Sequence, residues 1–128
     1  MSVLGELQPN KVFKYFEEIC SIPHGSRNLQ QISDYLVDFA KAHELKYRQD
    51  EDLNVIIWKD GSKGYEASEP VILQGHMDMV AVKEADCDKN MEKEGLDLEI
   101  NGDYISAKGT SLGGDDGIAV AYTLAVLD

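Results

Sequence analysis

His76 and Asp78 stand two residues apart at the end of Val71-Ile72-Leu73-Gln74-Gly75-His76-Met77-Asp78, and Asp115-Asp116 follow the glycine-rich stretch Gly109-Thr110-Ser111-Leu112-Gly113-Gly114. Imidazole nitrogens and carboxylate oxygens are the donors that zinc and related divalent cations take. On an extended segment, residues i and i+2 face the same way, so the side chains of His76 and Asp78 can meet. In one arrangement His76 ligates a metal through one ring nitrogen. Asp78 then accepts a hydrogen bond from the other, which sets the tautomer and raises the ligand's basicity. His-x-Asp by itself equally describes a histidine salt-bridged at the end of a strand.

The acidic pair also has two readings. It precedes an apolar helical stretch whose first N–H groups favour an anion, so helix capping accounts for one carboxylate. It does not account for two adjacent ones set between glycines that permit close approach. A phosphate-binding loop is the third possibility. The glycines are not followed by Lys-Ser or Lys-Thr, however, and two aspartates repel a phosphate unless a dication intervenes. Together the two constellations read as half of a metal site whose other donors are not in this sequence. His24, in a turn, and His43, near a helix end, read as structural, and Met77 and Met79 as packing. Cys20 and Cys87 have no CxxC spacing and read as a buried helical thiol and a loop thiol.

Several elements must position these groups. After Pro9, the residues Val12, Phe13, Phe16 and Ile19 recur at helical intervals, which predicts a first amphipathic helix ending near Ile22-Pro23. A turn at Pro23-His24-Gly25-Ser26 leads to a second helix, capped by Ser26 or Asn28, with Leu29, Ile32, Leu36, Phe39 and Ala40 on its apolar face. Leu53–Trp58 reads as a strand closed by Lys59-Asp60-Gly61-Ser62. The continuous apolar run Val71-Ile72-Leu73 predicts a central strand covered on both faces. Leu98-Glu99-Ile100 and Tyr104-Ile105-Ser106 flank Asn101-Gly102, a hairpin signal of the type I′ kind. Residues 117–128 predict a buried helix with Ile118, Tyr122, Ala125 and Val126 at helical intervals. No stop signal follows it, so the chain is expected to be cut there.

Composition narrows the function. With 12 Lys and Arg against 24 Asp and Glu, the formal charge is -12, which argues against binding nucleic acid or an anionic membrane surface. The acidic tract from Glu84 to Asp97 reads as a solvated loop. No apolar stretch approaches the roughly 20 residues that span a bilayer, and Met1–Asn10 lacks the features of a signal peptide. The expected location is cytoplasmic.

The segments Leu73-Gln74-Gly75-His76-Met77-Asp78-Met79-Val80 and Gly109–Ala119 together resemble the M20 metallopeptidases, in particular the aminoacyl-histidine (Xaa-His) dipeptidase branch. The likeness extends through Ser21-Ile22-Pro23-His24-Gly25-Ser26 and Asp52-Leu53-Asn54-Val55. It implies an α/β fold, with residues 1–128 forming the N-terminal part of a three-layer α/β/α catalytic domain with a mixed sheet; the lid domain, which often mediates dimers, is absent. It implies a co-catalytic pair of zinc ions, with Co or Mn as alternatives, acting on a small peptide. His76 would ligate one zinc, Asp115 would bridge both, and Asp78 would be the catalytic residue that orients His76. A cis bond is expected at Asp115-Asp116. The general-base glutamate and the remaining ligands belong to later segments, so the fragment itself is expected to be inactive. A tripeptidase, an N-acyl amino acid deacylase or a non-catalytic interaction module are the alternative readings.

Overall fold

The computed structural model describes residues 2–128, and Met1 lies outside them. Helix α1 (Asn10–Cys20) starts directly after Pro9, whose φ of -70° suits a helix entrance. It buries Val12, Tyr15, Phe16, Ile19 and Cys20, close to the expected stripe, with Phe13 only half-buried at its margin. Burial pushes the Cys20 thiol up to about 12, so it packs as an unreactive apolar group.

Helix α2 (Gln30–Ala42) presents Ile32, Leu36, Val37, Phe39 and Ala40 to the core. Tyr15 of α1 meets Phe39 edge-on at 5.4 Å, and His43 stacks on the same ring at 4.1 Å. Neither expected cap serves α2, whose N-cap Leu29 receives no side-chain hydrogen bond. Ser26 and Asn28 are committed elsewhere, Ser26 to Asp78 and Asn28 to the Glu92 carbonyl.

Two separate antiparallel hairpins follow. β1 (Lys46–Gln49) pairs with β2 (Val55–Trp58), and β3 (Leu98–Asn101) with β4 (Tyr104–Ala107). The β1–β2 loop is shaped by Asp50, whose carboxylate accepts from the backbone N–H groups of Asp52 and Asn54. In the second hairpin Asn101 pairs with Tyr104, so the loop is Gly102-Asp103 and only Gly102 has positive φ, at 61°. Glycine first in a two-residue loop is the type II′ arrangement, one residue along from the expected Asn-Gly turn.

The central strand expected at Val71-Ile72-Leu73 does not form. Val71 and Ile72 are more than four-fifths exposed, and the segment has no ladder partner among the described residues. An apolar run signals burial but supplies no partner, and none of the four strands runs alongside it. The mixed sheet is likewise not seen among the described residues.

Helix α3 (Gly114–Leu127) packs on α1 and buries Gly117, Ala121 and Leu124. Its expected face was one residue out of phase, since Tyr122 and Val126 are exposed. The helix is apolar nearly all round, so periodicity could not choose the face. Size chose it: at Gly117 a methyl group would already stand 3.3 Å from the Phe16 ring. No helix is long and apolar enough to cross a membrane.

Candidate metal centre

Residues 76–84 run extended between two flanking segments. On one side, Met79 N–H donates to the His24 carbonyl at 3.0 Å and Ser26 N–H to the Met79 carbonyl at 3.0 Å, around a parallel bridge between Gly25 and Met79. On the other, Ser111 N–H donates to the Val82 carbonyl at 3.0 Å, Ser111 Oγ to the Val80 carbonyl at 2.6 Å, and Glu84 N–H to the Gly109 carbonyl at 2.8 Å. Met79, buried at the centre, anchors the segment in the core. The α1–α2 turn and the loop before α3 are thus main-chain braces for the His-x-Asp motif.

The entrance to α3 brings the third piece. Gly113, its N-cap, is left-handed with φ 73° and ψ 27°, a conformation open to glycine at little cost. The Asp115–Asp116 peptide is cis, as the family resemblance implied. Neither aspartate has helical backbone angles, and no side chain caps the helix, so capping does not explain the pair. Both carboxylates turn to His76 instead. Asp116 Oδ2 accepts from the His76 backbone N–H at 3.3 Å, and Asp115 Oδ1 lies 3.0 Å from His76 Nε2.

The opposite ring nitrogen, Nδ1, lies 3.0 Å from both the Asp78 carbonyl and Asp78 Oδ1. Asp78 Oδ2 in turn accepts from Ser26 Oγ at 2.6 Å. The Asp115 carboxylate on Nε2, helped by the Asp78 carbonyl and both charges, holds His76 above the usual imidazole range. The Ser26 hydroxyl, then the His76 charge, hold Asp78 below the usual carboxylate range.

The proton count of this cluster is informative. Both atoms near Nδ1 are acceptors, so Nδ1 carries a hydrogen. In the neutral ring Nε2 is then a bare lone pair facing a carboxylate oxygen at 3.0 Å, which is repulsive unless a proton or a cation stands between them. Two donors of one tetrahedral zinc, each ~2.05 Å from it, stand about 3.3 Å apart, within a few tenths of the spacing here. Asp115 is 96% exposed and His76 54% exposed, so the pair opens outward. Among the described residues no three His, Cys, Asp or Glu side chains converge to hold a metal. Two donors fit such an ion but do not complete its shell.

The structure therefore brings His76, Asp78 and Asp115 together and leaves His24 and His43 outside, His24 buried and bonded through Nδ1 to the Ile22 carbonyl. Sequence reasoning missed the roles of Ser26 and Ser111, and named Asp116 in the acidic pair without giving it a separate role. Ser26 was legible only as a turn hydroxyl with no apolar partner, which is also the signature of a cap.

Over nearly all of its own length the chain is similar to part of two dipeptidases. It is 39% identical over 127 residues to the cytosol non-specific dipeptidase of Escherichia coli (strain K12), a match covering 99% of this chain and 26% of that protein. The crystal structure of aminoacylhistidine dipeptidase from Vibrio alginolyticus matches with a TM-score of 0.94 at 38% identity, over 98% of this chain and 26% of that one. The chain thus spans about a quarter of the length of both relatives. No family model matches it.

Proposed function

We propose that this chain is the N-terminal portion of the catalytic domain of a metal-dependent dipeptidase, with His76 and Asp115 as metal ligands and Asp78 as the residue that orients His76. The observation that carries this reading is the approach of His76 Nε2 to Asp115 Oδ1 at 3.0 Å, with the other ring nitrogen engaged by Asp78 on the far side. The homology to two dipeptidases supports it.

In this reading residues 1–128 contribute the α/β start of a three-layer α/β/α domain, and the general base, the other ligands and a lid come from the rest of the enzyme. Zinc is the expected metal, as a pair, with Co or Mn as substitutes; when bound it supplies Lewis-acid polarisation of a peptide carbonyl and an acidified water. The chain's own residues set the stage. Asp78 holds the Nδ1–H tautomer so that Nε2 presents its lone pair, Asp116 fixes the backbone of His76, and Asp115 supplies the anionic oxygen. The substrate is a dipeptide. Xaa-His dipeptides are one class. The name of the Escherichia coli relative, a non-specific dipeptidase, favours a broader range over that one. The working location is the cytoplasm, and a homodimer is the working assembly of the full-length enzyme.

Metal content and turnover of the full-length enzyme test the reading. Asp115→Ala removes both, and Asp78→Ala lowers turnover while part of the metal stays. Unchanged metal content and turnover in both variants overturn the assignment. The 128-residue chain alone is expected to hydrolyse no dipeptide with added zinc, and measurable zinc-dependent hydrolysis contradicts the division of the site between this chain and later segments.

A further inference from the structure

We propose that Ser26 is a positioning residue of the metal centre, acting through Asp78 on His76; the proposal rests on the metal reading above. Asp78 spends one carboxylate oxygen on each neighbour, Oδ1 on His76 Nδ1 at 3.0 Å and Oδ2 on Ser26 Oγ at 2.6 Å. The short hydroxyl–carboxylate contact is a charge-assisted hydrogen bond, stronger than a neutral one. The other acceptor near Ser26 Oγ, the Met79 carbonyl, is farther away at 3.3 Å.

The hydroxyl is free for this work because it does not cap α2, which starts four residues later without a side-chain cap. Its backbone is fixed as well. Ser26 N–H donates to the Met79 carbonyl, and Asn28 N–H closes the turn onto the Gly25 carbonyl at 2.8 Å. The serine therefore sits on the same brace that aligns residues 77–79, its main chain holding the neighbouring Met79 carbonyl and its side chain the Asp78 carboxylate. Asp78 is itself about one-third exposed. Without Ser26 water competes for its carboxylate, the plane of the carboxyl is free to rotate, and the Nδ1–H of His76 keeps only the Asp78 carbonyl as a fixed acceptor. The line Asp115, His76, Asp78, Ser26 thus joins the entrance of α3 to the α1–α2 turn.

Groups that orient a metal ligand from behind typically contribute 10–100-fold to metal affinity, and Ser26, one contact further out, is expected at about tenfold. The test uses the full-length enzyme and Zn²⁺ alone, with affinity read by chelator competition and turnover split into kcat and KM. Ser26→Ala weakens zinc by about tenfold and lowers kcat with little change in KM. Ser26→Thr, which keeps the hydroxyl, restores both. Ser26→Cys, a weak donor, falls with alanine. On an Asp78→Ala background, Ser26→Ala adds nothing further. Ser26 is exposed, so truncation opens no cavity, and circular dichroism confirms folding. Wild-type zinc affinity in both Ser26→Ala and Ser26→Cys overturns the proposal, as does an equal loss with and without Asp78. His76→Ala separates the two levels: if it also binds zinc as wild type does, the metal reading fails and takes Ser26 with it. If His76→Ala loses zinc while the Ser26 variants do not, the role of Ser26 alone is refuted.

Discussion

Two adjacent glycines at the entrance of α3 should respond very unequally to the same added methyl group. Gly113 has φ 73°, and a Cβ there would stand 2.8 Å from Met79 Sδ and 2.9 Å from Met79 Cβ. The left-handed backbone costs a non-glycine residue about 1–2 kcal/mol. The contact adds overpacking of about 1–3 kcal/mol. Met79 Sδ can swing aside, but its Cβ cannot, because the Met79 backbone is pinned to His24 and Ser26. Gly113→Ala is therefore expected to destabilise by about 2–5 kcal/mol. Gly114 is not in the left-handed region, and a Cβ there meets only Leu112 Cδ2, at 3.9 Å. Gly114→Ala should stay within about 0.5 kcal/mol of wild type. Urea unfolding followed by circular dichroism measures both. Gly113→Asn refines the test, since asparagine tolerates the left-handed region better but brings the same Cβ, so it should recover only part of the loss. Equal stability of the two alanine variants, or full recovery by asparagine, would refute the argument that Met79 and the positive φ jointly demand glycine at 113.

Burial of His24 holds its pKa below the ordinary imidazole value, against the opposing pull of the Ile22 carbonyl and the Asp78 charge. The unfolded chain takes up that proton near pH 6.5, so stability from this residue is complete above that pH and falls as the pH drops toward the folded value. His24→Gln should remove that part of the pH slope in urea unfolding below about pH 6.5; identical slopes in the two proteins would contradict it. Ser33, fully buried, donates to the Leu53 carbonyl at 2.8 Å and accepts from Gln49 Nε2 at 2.8 Å. Gln49 keeps a second partner in Asp34, but the Leu53 carbonyl does not gain one, so Ser33→Ala should cost about 1–3 kcal/mol. A calorimetric or urea-derived loss near zero would show that water replaces the hydroxyl.

Legibility in the sequence followed from amphipathicity. α1 and α2 mix apolar and polar residues at helical spacing, so both their existence and most of their buried faces could be read. The β3–β4 hairpin was legible from its glycine turn. β1 was not, because Lys46-Tyr47-Arg48-Gln49 has one apolar residue in four and three exposed positions; such a strand is specified by its partner β2, which local propensity does not record. α3 was legible as a helix and illegible in phase, since almost every position from Gly117 to Val126 is small or apolar. Val71-Ile72-Leu73 failed for a related reason. Its composition states that the run is to be covered, not by what, and on the proposed reading the cover lies in the remaining length of the enzyme.

The candidate site was legible in a different way. His76, Asp78 and Asp115 could be singled out because imidazole and carboxylate are scarce next to apolar runs and glycine loops. What could not be read was the directionality that turns these residues into a site. That His76 points Nδ1 at Asp78 and Nε2 at Asp115 depends on two main-chain braces, residues 24–26 and 109–111, whose contribution is backbone hydrogen bonds that any sequence offers. Ser26 shows the ambiguity at its sharpest: a serine after Pro-His-Gly has the same local signature whether its hydroxyl caps a helix or holds a carboxylate 52 positions away. Local chemistry makes both bonds available, and tertiary geometry selects one. The charge-assisted bond to Asp78 is the stronger of the two options, and choosing it leaves the first N–H groups of α2 without a side-chain cap. A helix start left without such a cap can therefore report where the missing side chain has been drawn.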